Sequence, residues 1–289
     1  MKTFTDIQAK TQHLETQDGY PLLATLYQSS TPSSVIIIAP AVAVPQAYYQ
    51  SFAEYFAGRG IDCITFDYRG TGQSLAKDSP YQIRLEDWGI QDIEAVIQFT
   101  QNNYSDNFPI HFLGHSIGGQ LMGLAPSSKV LNRIVHIAVS APYWRRWPLK
   151  IGLNIHAFTK LVIPLFSARR EQFPSKKVGL GKMSVPSSAI RQWGAWMSKK
   201  KYLFDPVFKL ELSGYKNLSQ PLLALGFSDD ELAPEVNINV LLGYFCNAYI
   251  THEFINVSEL GLGTVGHAGF FKPRFEDTLW SKVADWLNE

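Results

Sequence analysis

The stretch HFLGHSIGGQ, residues 111–120, closes an apolar run with strand character (PIHFL) and opens a helical pattern (IGGQLMGLA). Between the two stands Ser116, with Gly114 and Gly118 two positions away on either side. A G-x-S-x-G pattern is common by chance, because glycine and serine are abundant residues. Its position gives it weight. A serine at a strand-to-helix junction must sit on a tight turn, which small flanking residues permit. Such a turn lifts the hydroxyl to the carboxyl edge of a sheet, with a helix N-terminus behind it to favour developing negative charge. Ser116 is therefore a candidate nucleophile, and His115 a neighbour that packs beside the turn.

Outward from this stretch the chain alternates strand and helix. HLETQDGYPLLATLY breaks at Asp18-Gly19 and reads as an antiparallel hairpin. SSVIIIAPAVAV has the unbroken β-branched run of a strand buried on both faces. AYYQSFAEYFAGRG follows as a helix closing on Gly60, then IDCITFDY as a strand and EDWGIQDIEAVIQFTQNN as an amphipathic helix. Beyond the serine come the strands RIVHIAVSAP, PLLALGFSDD and YITHEFINV, a helix near APEVNINVLLGYF and a final helix RFEDTLWSKVADWLN. This β-α-β series predicts an α/β fold: a mostly parallel twisted sheet with an antiparallel N-terminal hairpin and helices on both faces. Residues 142–216 interrupt the rhythm with helical stretches and prolines, and no strand is expected there. The expected organisation is a core of residues 1–141 and 217–289 with a helical cap, or lid, at 142–216.

A serine hydroxyl needs a base, and the base needs an orienting group. After PLLALGF the segment SDDELAP places carboxylates at the strand's end, with Asp230 the first choice and Asp229 the second. After the last strand, the glycine-rich GTVGHAGFF presents His267 just before the final helix. Of the other histidines, His13, His111, His136 and His252 fall in strand patterns, and His156 lies in the insertion. An oxyanion hole needs two backbone N–H groups. Ile117 would supply one, and the loop after VIIIAP the other; Pro40 has no N–H, so Val42 is favoured and Ala41 comes second.

The 289 residues are 46% hydrophobic and 18% charged, which suits a large core and excludes disorder or a coiled coil. MKTFTDIQAKTQHLE has no apolar core after its lysine, and the run Val35–Val44 is cut by Pro40, so neither a secretory signal nor a membrane span is expected. Cys63 and Cys246 lie in apolar segments away from any metal-binding spacing, and read as buried free thiols of a cytoplasmic protein. DYRGTGQS lacks the Lys-Ser/Thr end of a phosphate loop, so it reads as a structural turn with Asp67 and Arg69 paired locally.

A formal net charge of +1 conceals a segregation. Residues 142–216 hold 15 Lys/Arg against 3 Asp/Glu, a balance of +12, and the remainder holds 11 against 22, a balance of −11. The same segment carries Trp144, Trp147, Trp193 and Trp196, four of the seven tryptophans. Three uses fit: a packed cap with a solvated basic face, a pocket for an anionic or lipid-like substrate, or peripheral contact with a membrane surface. No recognition motif for nucleic acid accompanies the charge.

Together, APAVAVPQAYY, FDYRGTGQS, GHSIGG, SDDELAP and GHAGFF resemble, in order and through nearly the whole chain, the α/β-hydrolase superfamily of serine esterases, lipases and peptidases. The resemblance implies the triad Ser116, Asp230 and His267, and it selects Asp230 because similar proteins place the acid four residues before a proline, here Pro234. It also implies a serine hydrolase that cleaves a carboxylic ester or related acyl bond through an acyl-enzyme, without cofactor or metal. Thioesterase, acyltransferase and aminopeptidase share this triad, and a slow-turnover small-molecule binding protein could retain it. One departure stands out: Pro40-Ala41 replaces the usual His-Gly of the oxyanion loop.

Overall fold

The computed structural model describes residues 7–76, 82–104 and 108–289. The opening read as lacking a leader lies partly outside them, at residues 1–6. Ten strands are described: β1 (Gln8–Glu15), β2 (Pro21–Gln28), β3 (Ser34–Ala39), β4 (Ile61–Phe66), β5 (Ile110–His115), β6 (Ile134–Ile137), β7 (Gln172–Phe173), β8 (Val185–Pro186), β9 (Pro221–Phe227) and β10 (Tyr249–Ile255). Eight form one sheet in the order β1-β2-β4-β3-β5-β6-β9-β10. β1 and β2 pair antiparallel from Glu15↔Pro21 outward, with Gly19 at φ +80° in the turn, and β2 joins β4 antiparallel. All other neighbours in this sheet are parallel.

Central strands β3, β4, β5 and β6 are buried along their whole length, as their β-branched runs require once helices cover both faces. The helices are α1 (Gln50–Ala57), α2 (Glu94–Asn103), α3 (Ile117–Leu121), α4 (Leu149–Ala157), α5 (Ile163–Ser167), α6 (Ser187–Met197), α7 (Ser213–Asn217), α8 (Glu235–Leu242) and α9 (Ser281–Leu287). From β3 the chain steps one way to β4, then returns to place β5 on the other side of β3. That reversal opens a crevice at the strands' carboxyl ends, where open α/β sheets bind ligands. Register sets which loops border it. Ala39 pairs with Gly114 and His115 with Ile137, so the loops leaving β3, β5 and β6 begin side by side.

Residues 142–216 contain α4 to α6, all but the last residue of α7 and, unlike the strand-free expectation, the short antiparallel ribbon β7–β8. Two-residue strands carry too little periodicity to be read from a sequence. A π turn over Phe158–Val162 joins α4 to α5 into one continuous helix. This helix, Leu149–Ser167, is long and apolar enough to cross a membrane by length and composition, although only 17% of its most apolar window is buried. Hydrogen bonds fasten the segment to the rest of the chain: Trp147 Nε1 donates to Glu231 O (2.7 Å), Arg146 to Ala141 O (3.0 Å) and Tyr202 Oη to Gln120 Oε1 (2.6 Å).

Two local expectations are corrected. Cys63 is buried, but Cys246 is exposed, because it falls in the turn after α8 where the chain has left the core. Arg69 does not pair with Asp67. Its guanidinium reaches Asp18 Oδ2 at 2.7 Å and Asp92 Oδ1 at 2.6 Å, partners distant in sequence, while Asp67 accepts the backbone N–H groups of Gln46 (2.8 Å) and Gln73 (2.9 Å). Burial pushes the Asp92 carboxyl up to about 7 against the pull of the Arg69 guanidinium.

Candidate active site

Ser116 occupies the turn between β5 and α3 with φ +51° and ψ −116°, a conformation that L-residues adopt rarely and that persists only where the surroundings enforce it. The enforcement is visible. Ser116 N–H donates to Ile137 O on β6 (3.0 Å), and Ser116 O accepts from Gly119 and Gln120 at the start of α3. A Cβ on Gly118 would overlap the carbonyl of Ala39, and one on Gly114 would overlap the backbone of Gly119. The two glycines of the pattern thus let α3 close onto β3 and β5.

The structure brings the three sequence-derived side chains together. Ser116 Oγ lies 2.9 Å from His267 Nε2, and His267 Nδ1 lies 2.8 Å from Asp230 Oδ2. A carboxylate only accepts, so Nδ1 carries the ring proton and Nε2 presents its lone pair to the serine O–H. Asp230 is buried, and its other oxygen accepts the N–H groups of Leu232 (2.9 Å) and Ala233 (3.2 Å). Asp229 sits elsewhere: it accepts from Val265 N (2.8 Å) and Gly266 N (2.9 Å), the residues just before His267.

The histidine loop is pinned at successive residues. Besides those two amides, His267 O accepts from His115 Nε2 (2.8 Å) and Ala268 O from Tyr48 Oη (2.8 Å). Because that carbonyl only accepts, the His115 proton is on Nε2, and its Nδ1 accepts from Tyr49 Oη (2.8 Å). Burial holds His115 down to about 3, so the ring is neutral. Tyr49 Oη in turn accepts the Ala41 N–H at 2.9 Å. A chain of hydrogen bonds therefore joins the loop after β3 to the backbone of His267. Tyr49, in the turn that leads into α1, was not legible as a site residue, because nothing in the pattern AYYQSFAEYFAGRG separates it from a core aromatic.

Ala41 has its N–H committed to Tyr49. Among the described hydrogen bonds none takes the N–H of Val42 or Ile117. Val42, Ser116 and His267 line a cavity of about 790 Å³, and Ile117 follows the serine directly in the chain. Apolar side chains dominate its walls, among them Val44, Ile155, Phe158, Leu180 and Trp193, with Lys182, Lys272 and Glu231 as the charged exceptions. Among the described residues no group of three His, Cys, Asp or Glu is placed to hold a metal ion.

A serine hydrogen-bonded to an imidazole that a buried carboxylate orients, at the carboxyl edge of a mostly parallel sheet, is the arrangement of a class, the α/β-hydrolases. Residues 30–198, more than half of the chain, match the serine aminopeptidase family S33, and the chain belongs to that family. No curated protein sequence matches it. Solved structures share its fold. An esterase of Pyrococcus furiosus is 13% identical, with 98% of this chain and 91% of that one covered and a TM-score of 0.64. An esterase from Exiguobacterium antarcticum is 16% identical, covering 97% and 100%, with a TM-score of 0.65. The α/β-hydrolase GrgF from a Penicillium species is 17% identical, covering 98% of each chain, with a TM-score of 0.63.

Proposed function

We propose that the protein hydrolyses a carboxylic ester with an apolar acyl group, through an acyl-enzyme on Ser116. The observation that carries this reading is the unbroken hydrogen-bonded line from Ser116 Oγ through His267 to Asp230, at the edge of a mostly apolar cavity. His267 Nε2 takes the serine proton as Oγ attacks the acyl carbon, and the carbonyl oxygen becomes an oxyanion held by the N–H groups of Val42 and Ile117. Collapse expels the alcohol, which receives the proton from His267. Water then attacks the acyl-enzyme with the same base, and the acid leaves as Ser116 recovers its proton. Asp230 keeps Nδ1 protonated and stabilises the imidazolium. These groups supply nucleophile, base and oxyanion donors, so the steps as written use no cofactor.

A panel of nitrophenyl esters varying in acyl length tests the reading. The expected result is turnover that rises with acyl length before the cavity fills, and no turnover by Ser116→Ala. Turnover unaffected by Ser116→Ala would contradict it.

A second reading is favoured by one residue. An aminopeptidase must hold a free ammonium group, and Glu231 is the one carboxylate among the residues lining the cavity. Glu231→Gln would then abolish hydrolysis of an aminoacyl anilide while leaving ester turnover in place; on the ester reading it changes neither strongly.

A further inference from the structure

The outer side of the helix Leu149–Ser167 is not explained by the catalytic reading. Leu149, Leu153, Leu161 and Leu165 are 75%, 50%, 67% and 71% exposed, whereas Gly152, Thr159, Ile163 and Ser167 between them are buried. Leucines therefore stand where a surface helix normally carries polar residues. Lys150 and Lys160 are exposed on the same helix. From 142 to 170 the chain holds six Lys/Arg and no Asp/Glu. Ile151, Ile155 and Phe158 on this helix line the cavity of Ser116, so the exposed leucines lie on the back of the cavity's wall.

We propose that this helix is a docking surface for an anionic phospholipid bilayer, lying in the interface with its leucines in the headgroup boundary and its cations against lipid phosphates. Charge decides the occupant. A second copy meeting this face with the same face would set the like-charged Lys150 and Lys160 of two helices against each other, whereas an anionic bilayer supplies the complement. The acidic remainder of the chain, at −11, would be repelled by the same bilayer and so turn the cap towards it. The helix lies on the bilayer and does not cross it. Its inner residues are part of the cavity, and its flanks are tied to the fold, with Trp147 Nε1 donating to Glu231 O (2.7 Å) and Arg191 Nη1 to Ser167 O (3.1 Å). Docking in this pose sets the cavity wall against lipid and requires no chemistry at Ser116.

Sedimentation of the full chain with vesicles of equimolar phosphatidylglycerol and phosphatidylcholine, and with vesicles of phosphatidylcholine alone, tests the proposal. The expected result is binding to the anionic vesicles only. Lys150→Gln with Lys160→Gln should weaken it about 25-fold, some fivefold for each cation. Leu153→Ser, Leu161→Ser and Leu165→Ser together should weaken it at least about tenfold. These side chains face solvent, so circular dichroism and thermal melting should match the wild type. Three results would overturn the proposal: a wild type that stays in the supernatant, a leucine variant that binds as well as wild type and so reports only charge adsorption, or a concentration-dependent dimer that the leucine variant dissolves. A Ser116→Ala protein should bind undiminished, which separates this proposal from the catalytic one.

Discussion

Asp229 and Asp230, adjacent in the chain, hold different parts of one loop: Asp230 grips the ring of His267 at 2.8 Å, and Asp229 grips the amides of Val265 and Gly266 at 2.8 and 2.9 Å. Replacing each with asparagine should separate the two jobs. Asp230→Asn favours the wrong imidazole tautomer and should lower kcat on the order of 10⁴-fold with little change in KM. Asp229→Asn keeps one acceptor and loses a charge-assisted bond, so about 1.5 kcal/mol of stability and roughly tenfold in kcat should go. Steady-state kinetics and urea unfolding on both variants check this; equal, mild losses would mean that neither carboxylate orients the base.

Gly118 is a packing requirement as much as a motif residue. A methyl group there must displace the Ala39 carbonyl, and β3 lies in the middle of the sheet with no room to yield. Gly118→Ala should cost about 3 kcal/mol in urea unfolding. A variant as stable as the wild type would show that α3 can slide away from β3.

Tyr49→Phe removes one hydroxyl and strands two partners, the Ala41 N–H and His115 Nδ1, both in the core. A buried unpaired group costs about 1–3 kcal/mol. The Ala41 amide adjoins the proposed donor Val42, so kcat should fall by more than KM rises. A loss confined to stability would place Tyr49 outside the oxyanion geometry.

Acid sensitivity should be traceable to buried imidazoles. His136 is wholly buried, with Nε2 against Met122 Sδ at 3.1 Å, and burial holds it down to about 3 from an ordinary 6.5. Between those values the unfolded chain binds the proton and the folded chain does not, so stability falls as pH drops below 6.5. His136→Leu should flatten the profile by up to about 1.4 kcal/mol per pH unit between pH 6.5 and 4 relative to wild type. Asp92 acts with the opposite sign, being held up to about 7, and cancels when both proteins are compared at one pH. Parallel profiles for the two proteins would contradict the assignment.

Much of the fold and of the candidate site is legible in the sequence for a definite reason. Strands buried on both faces are mostly apolar, as VIIIA and IHFL are, and the candidate residues follow strands: Ser116 directly after β5, Asp230 shortly after β9 and His267 farther along, in the loop beyond β10. What escaped depends on contacts between distant segments. Arg69 finds Asp18 and Asp92, and Tyr49 finds His115, through the way the sheet and helices pack, which local spacing does not record. The leucine row of Leu149–Ser167 escaped for another reason. Apolar residues at helical spacing signal a buried face, and the π turn at Phe158–Val162 shifts that spacing partway along.

Activation of Ser116 by His267 is read out by incubating the folded protein with a fluorophosphonate probe and mapping the adduct by peptide mass spectrometry. The expected result is a single adduct on Ser116 in the wild type, and none in Ser116→Ala or His267→Ala. A folded wild type that stays unlabelled, or an adduct carried by another residue, would contradict it.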